Sequence, residues 1–183
     1  RRHGNDTAIF KDFQEQDYFG DIYWAKAQYI RRNGNPGGWF GEKARSGGGP
    51  LIDLGVHMID VSIWLMGNPK PIAVSGATYT EFAENYSPMA HGDRDNDPNG
   101  TFDVEDLAMG FIRFDNGACL QIEFSWASNI ENDQIFVELR GEKSGSKLLG
   151  IENKVEIYPE DCGTLATLKP NTDDYRGLNH HEG

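Results

Sequence analysis

The chain has 183 residues, 38% of them apolar and 25% charged, which suits one globular domain with a hydrophobic core of its own. A formal charge of -12 and a sequence pI of 4.7 set the surface against phosphate backbones and anionic lipid heads, so neither nucleic acid nor a membrane is an expected partner. No apolar run is long enough to cross a bilayer, no leader pattern opens the chain, and Cys119 and Cys162 are too few for a disulfide framework, so a reduced cytoplasmic setting is expected.

Asn5 is placed to cap a first helix running to about Phe19, with Ile9, Phe10 and Phe13 on one face and Gly20 as a left-handed stop. The aromatic and β-branched run 21–30 predicts a strand. Residues 31–49, rich in Gly and Asn around Trp39 and Phe40, predict a loop. Pro50 suits the first turn of a second helix, which runs to Met66 and stops at Gly67-Asn68-Pro69. It is apolar on most faces, which predicts burial.

Strand signals then follow at 72–82, 104–114 and 118–127, the last two joined by the hairpin signal Asp115-Asn116-Gly117. Further strands are expected at 134–140, around Leu148 and at 155–158, and the polar tail from Leu165 carries no clear element. The pattern is α+β: a largely antiparallel open sheet with helices packed on one face. No Gly-x-Gly-x-x-Gly helix start occurs, so no dinucleotide fingerprint is present.

The densest chemistry lies in Gly47-Gly48-Gly49-Pro50-Leu51-Ile52-Asp53-Leu54-Gly55-Val56-His57-Met58-Ile59-Asp60. On a helix, Asp53 and His57 share one face a turn apart, and Asp60 and Trp64 continue the stripe. An imidazole suits the removal of a hydroxyl proton during alcohol oxidation. A carboxylate beside it can fix the imidazole tautomer or hold a second hydroxyl. An acid in a first helical turn also serves the helix dipole, and a lone helical His is commonly packing or surface.

This segment, followed by Trp64-Leu65-Met66-Gly67, resembles the signature of the C-terminal domain of the Gfo/Idh/MocA oxidoreductases. Phe19-Gly20-Asp21-Ile22-Tyr23, Arg31-Arg32 with Trp39-Phe40, Val104-Glu105-Asp106-Leu107-Ala108, Asn116-Gly117-Ala118 and Leu139-Arg140-Gly141-Glu142-Lys143-Ser144-Gly145 match in order. The resemblance covers roughly residues 1–149 and implies a two-domain enzyme acting on a sugar, inositol or related polyol by hydride transfer. Its N-terminal Rossmann domain would bind NAD or NADP and supply a lysine from a Glu-Lys-Pro motif. By that match His57 is the general acid/base, Asp53 its partner or a hydroxyl ligand, and Arg31, Asn35, Trp39 and Phe40 line the substrate pocket. The sheet would carry a homo-oligomer contact. Residues 1–183 then form the substrate-binding and oligomerisation domain, read as a fragment that lacks its Rossmann partner and is inactive alone.

Competing readings are a binding or assembly domain of the same fold that lost the chemistry, and a glycosidase using transient oxidation by bound NAD. The acidic run 95–106 has partial calcium-loop spacing, but Asp106 stands where a bidentate Glu belongs, so a solvated connector is expected there and no metal site. His91, His180 and His181 read as surface or tail. Trp126 either faces substrate or fills the space between sheet and helix, and Cys119 is expected to be a small buried hydrophobe.

Overall fold

The computed structural model describes residues 2–81 and 101–175. Helix α1 (Asn5–Glu15) leads to strand β1 (Ile22–Ile30); a 3-10 turn (Gly38–Gly41) and the short helix α2 (Lys43–Ser46) follow. A π-helical turn (Leu51–Gly55) then runs directly into α3 (Val56–Leu65). The remaining strands are β2 (Pro71–Tyr79), β3 (Leu107–Phe114), β4 (Cys119–Ser125), β5 (Gln134–Gly141), β6 (Ser144–Leu149), β7 (Lys154–Asp161) and β8 (Thr164–Leu165).

Among the described residues these strands form one sheet of eight, in the order β2-β3-β4-β1-β5-β6-β7-β8. The α+β reading with a largely antiparallel sheet is the observed fold. Its one parallel pair is β1 with β4, where Ala25 meets Leu120 and Ala27 meets Ile122. That pairing brings a strand near the chain start into the centre of the sheet, with α2, α3, β2 and β3 lying between the two in the chain.

Alternation along the strands decides which face the helices cover. On β3, Ala108, Ile112 and Phe114 are buried while Met109 and Phe111 are exposed; on β4, Leu120, Ile122 and Phe124 are buried. Ile112, Phe114, Leu120, Ile122 and Phe124 share one core with Ile9 and Phe10 of α1 and with Met58, Val61 and Leu65 of α3. Removing a side chain of this size from water stabilises the fold by about 1.5–3 kcal/mol each, so the covered face carries most of the cohesion. Phe10 stacks on Phe19 with ring centroids 4.4 Å apart, which fixes α1 over the turn into β1. The Asp115-Asn116-Gly117 hairpin forms as expected, with Gly117 at φ 86°.

Several expectations are corrected. Helix α1 ends at Glu15, and Asp17 at φ 56° carries the chain out of it; Gly20, at φ 65°, serves the turn before β1 instead. The N-cap is Gly4, and the Asn5 amide donates to the Thr172 carbonyl at 2.9 Å. The polar tail is therefore built onto α1, a docking completed by Tyr175 donating to Asp12 at 2.6 Å. The second helix is composite, and its outer side is open: Ile52 is 46% and Val56 49% exposed. Cys119 is only half-buried. No helix among the described residues is long and apolar enough to cross a membrane.

The glycine run sits closer to the sheet than any side chain permits. A Cβ on Gly49 would lie 1.8 Å from the Glu105 carbonyl oxygen, and one on Gly55 would lie 2.7 Å from the Phe124 ring. The Gly49 obstacle is backbone, which cannot rotate away. Gly49→Ala should therefore destabilise the domain by at least about 1–3 kcal/mol, the usual cost of overpacking, read as a lower urea midpoint. An unchanged midpoint would show that the two backbones do not meet in solution.

Candidate active site

The turn that carries Asp53 is held from outside the helix. Glu105 Oε1 accepts the Leu51 N–H at 3.3 Å, satisfying one of the donors that a helix start leaves unpaired. Asp103 Oδ1 accepts the Lys43 N–H at 2.6 Å, and the Asp103 N–H donates to the Gly41 carbonyl at 3.0 Å. The described end of the acidic run is thus a clamp on the glycine loop. Asp106 is 2% exposed, so this end is no solvated connector. The spacing read as a partial calcium loop begins at Asp95, outside the described residues, as do His91, His180 and His181.

Within that turn the Val56 N–H reaches the Leu51 carbonyl, a π-type bond that inserts an extra residue ahead of α3. Such turns concentrate at functional sites. Asp53 lies in it, half-buried, and its Oδ2 accepts the indole N–H of Trp126 at 2.9 Å. Among the described residues no other group bonds to the Asp53 carboxylate, so Oδ1 is left for an incoming donor.

Trp126 has no exposed surface. Phe40 and Phe102 each meet its ring edge-on with centroids 6.4 Å apart, and Leu54 and Val104 complete a small second core. Trp39 stacks on Phe40 at 4.3 Å and is 44% exposed. The Trp126 backbone is fixed as well: its N–H donates to Asp106 and its carbonyl accepts from Gly34 at 2.7 Å. Sequence and structure therefore converge on Asp53, Phe40 and Trp39 as neighbours, with the indole joining them.

His57 stands in the first turn of α3, exposed, and among the described residues no hydrogen bond joins it to Asp53. Asp60 and Trp64 do not extend the stripe freely. Arg2 grips both Asp60 oxygens, at 2.7 and 2.5 Å, and lies 5.7 Å from the Trp64 ring, which Lys11 also approaches at 4.5 Å. The Arg2 hydrogen bond holds the Asp60 carboxyl below the usual carboxylate range, with a small further contribution from His57. Arg31 and Asn35 brace the loop: the guanidinium donates to the Gly34 carbonyl at 2.8 Å and the Tyr29 hydroxyl at 3.1 Å, while buried Asn35 accepts the Gly37 N–H at 3.0 Å.

The sequence left Trp126 open between two roles and assigned none to Glu105. A signal for the first existed: a buried indole N–H needs an acceptor, and Asp53 is the carboxylate of the turn Leu51–Gly55.

Residues 9–146 match the model of the GFO/IDH/MocA C-terminal domain. The chain belongs to the GFO/IDH/MocA family. It is 35% identical to the D-glucoside 3-dehydrogenase of Escherichia coli (strain K12), across 99% of this chain and 51% of that protein. The levoglucosan dehydrogenase of Pseudarthrobacter phenanthrenivorans (strain DSM 18606 / JCM 16027 / LMG 23796 / Sphe3) is 28% identical, across 97% of this chain and 47% of its own length. This family member thus spans about half the length of the curated relatives it matches. Its fold matches levoglucosan dehydrogenase in complex with NADH with a TM-score of 0.76 at 23% identity, over 92% of this chain and 44% of that one. An oxidoreductase domain protein from Kribbella flavida gives 0.75 at 21% identity, over 100% and 51%.

Because the Trp126 indole is both buried and bonded to a carboxylate, its N–H should be the slowest of the four indole protons to exchange with deuterium. Indole-region NMR checks this; exchange as fast as that of Trp39 would contradict the geometry.

Proposed function

We propose that this chain is the substrate-side domain of a nicotinamide-dependent dehydrogenase that oxidises a hydroxyl of a sugar, glycoside or related polyol. The observation that carries the reading is the juxtaposition of a carboxylate with one free oxygen, an exposed imidazole on the next turn, and an aromatic wall from the 31–41 loop. The two curated relatives matched along nearly the whole chain are both named as dehydrogenases of sugar-type substrates, which supports the same class.

In this reading His57 takes the proton from the reacting hydroxyl as a general base. Asp53 Oδ1 accepts a neighbouring hydroxyl of the substrate or orients the imidazole once substrate bridges the two. Trp39 and Phe40 offer an apolar wall to a sugar ring, and Arg31 and Asn35 line the same loop while holding its shape. NAD or NADP accepts the hydride. This chain would meet it only at the open outer side of the composite helix, where Ile52, Val56 and His57 are exposed, and a Rossmann domain bearing the lysine would bind the rest. That side is apolar around a polar imidazole, which fits the edge of a nicotinamide ring. A reduced cytoplasmic setting accords with Cys119 and Cys162 standing unpaired.

The test is reduction of NAD and NADP by a panel of glycosides, aldoses and inositols, using the full-length protein that carries this domain. Turnover is expected with at least one, and His57→Ala should lower kcat by about a hundredfold or more. Tight cofactor binding with no reduction across the panel would favour a binding domain, and cleavage of a glycoside with no net reduction would favour the glycosidase reading.

The uncovered sheet face supports a homo-oligomer. Met109 and Phe111 on β3 and Tyr158 on β7 are exposed there, beside Arg140 at 4.0 Å from the Trp24 ring and Lys147 at 3.9 Å from that of Phe136. Large apolar groups among ordered cations mark a protein-facing surface. Sedimentation should give a dimer or tetramer that Phe111→Glu shifts toward monomer; a wild-type monomer would remove the idea.

A further inference from the structure

We infer that Trp126 is a positioning residue for Asp53, and that through it the substrate loop and the carboxylate are set as one unit. The inference rests on the dehydrogenase reading of the site.

A half-buried carboxylate on a π-type turn has no regular helical surface to define its rotamer. Here one oxygen is fixed by the indole N–H at 2.9 Å, a charge-assisted bond directed by a ring that cannot move. Four restraints immobilise that ring: the edges of Phe40 and Phe102, the backbone bond from Gly34 at 2.7 Å, and the backbone bond to Asp106 at 3.1 Å. Two of the four, Phe40 and Gly34, come from the 31–41 loop. Any shift of that loop is felt by the indole, and any shift of the indole moves the Asp53 oxygen that faces substrate. Occupying Oδ2 also decides which oxygen remains for the substrate.

Packing alone would explain a buried aromatic, but a phenyl ring would fill that role. The N–H aimed at the one carboxylate of the turn is the feature that packing does not require.

The experiment is a double-mutant cycle on the full-length protein with Trp126→Phe, Asp53→Ala and the pair. Trp126→Phe keeps an aromatic ring, though a smaller one, and removes the donor. It should lower kcat roughly tenfold or more, since small displacements of a reacting group are costly. In the Asp53→Ala background the same change should alter kcat by less than about twofold, because the group it positions is gone. An equal loss in both backgrounds means a purely structural role and overturns the inference. So does an unaffected kcat for Trp126→Phe in the otherwise wild-type protein. If Asp53→Ala itself retains full activity, the site reading fails before the question of positioning arises.

A second measurement does not depend on Trp126→Phe folding. On Asp53→Ala the indole N–H resonance of Trp126 should shift while those of Trp24 and Trp64 hold. An unmoved Trp126 resonance would show that the contact is absent and overturn the inference.

Discussion

The close seating of the composite helix on the sheet is the constraint from which the rest follows. Gly55 rests against Phe124 and Gly49 against the Glu105 backbone, at separations that leave no room for a Cβ. Bringing a helix start this near to strand ends places its unpaired N–H groups within reach of Glu105 and its acid within reach of Trp126. With a larger side chain at either glycine, the helix would ride higher and Asp53 would lose its donor. The glycines therefore act on the site through distance, and only secondarily through backbone freedom.

The sheet divides its labour by face. The covered face spends its apolar residues on α1 and α3, and the parallel β1–β4 pair puts small residues, Ala25 and Ala27, where the helices approach. The residues of the candidate site collect at the rim where β1 and β4 end. Residues 31–34 zip onto Ser125 and Trp126, so the loop bearing Trp39 and Phe40 is an extension of the sheet and inherits its rigidity. Residues that must reach different partners thus share one short stretch of backbone.

Much of this was legible because it depends on local rules. The turn signal Asp115-Asn116-Gly117 predicted the β3–β4 hairpin, and the glycine run with Asp53 and His57 marked the candidate site. What was not legible depends on contacts between distant segments. Helical periodicity predicts an unbroken stripe from Asp53 to Trp64, but the π-type turn and the grip of Arg2 on Asp60 divide it. Asn5 has the chemistry of a cap, and only the docked tail at Thr172 shows that its amide is used elsewhere. Arg31 and Asn35 are the right residue types for a pocket, yet their side chains close the loop on itself. The acids at 103–106 look solvated in sequence because nothing there reveals that the glycine loop will fold onto them.

The hydrogen bond at Asp53 has a strength suited to its place. Asp53 is half-buried, and the indole N–H is the donor that fixes one of its oxygens. The group is held in one orientation while retaining capacity for a second donor. In the proposed reading, a substrate hydroxyl meeting Oδ1 would be its second donor. On that reading a second protein donor at Oδ1 would have to leave before substrate could enter. One fixed oxygen beside a fully packed indole, with the other oxygen open, distinguishes Asp53 from the Arg2–Asp60 pair, where both oxygens are already taken.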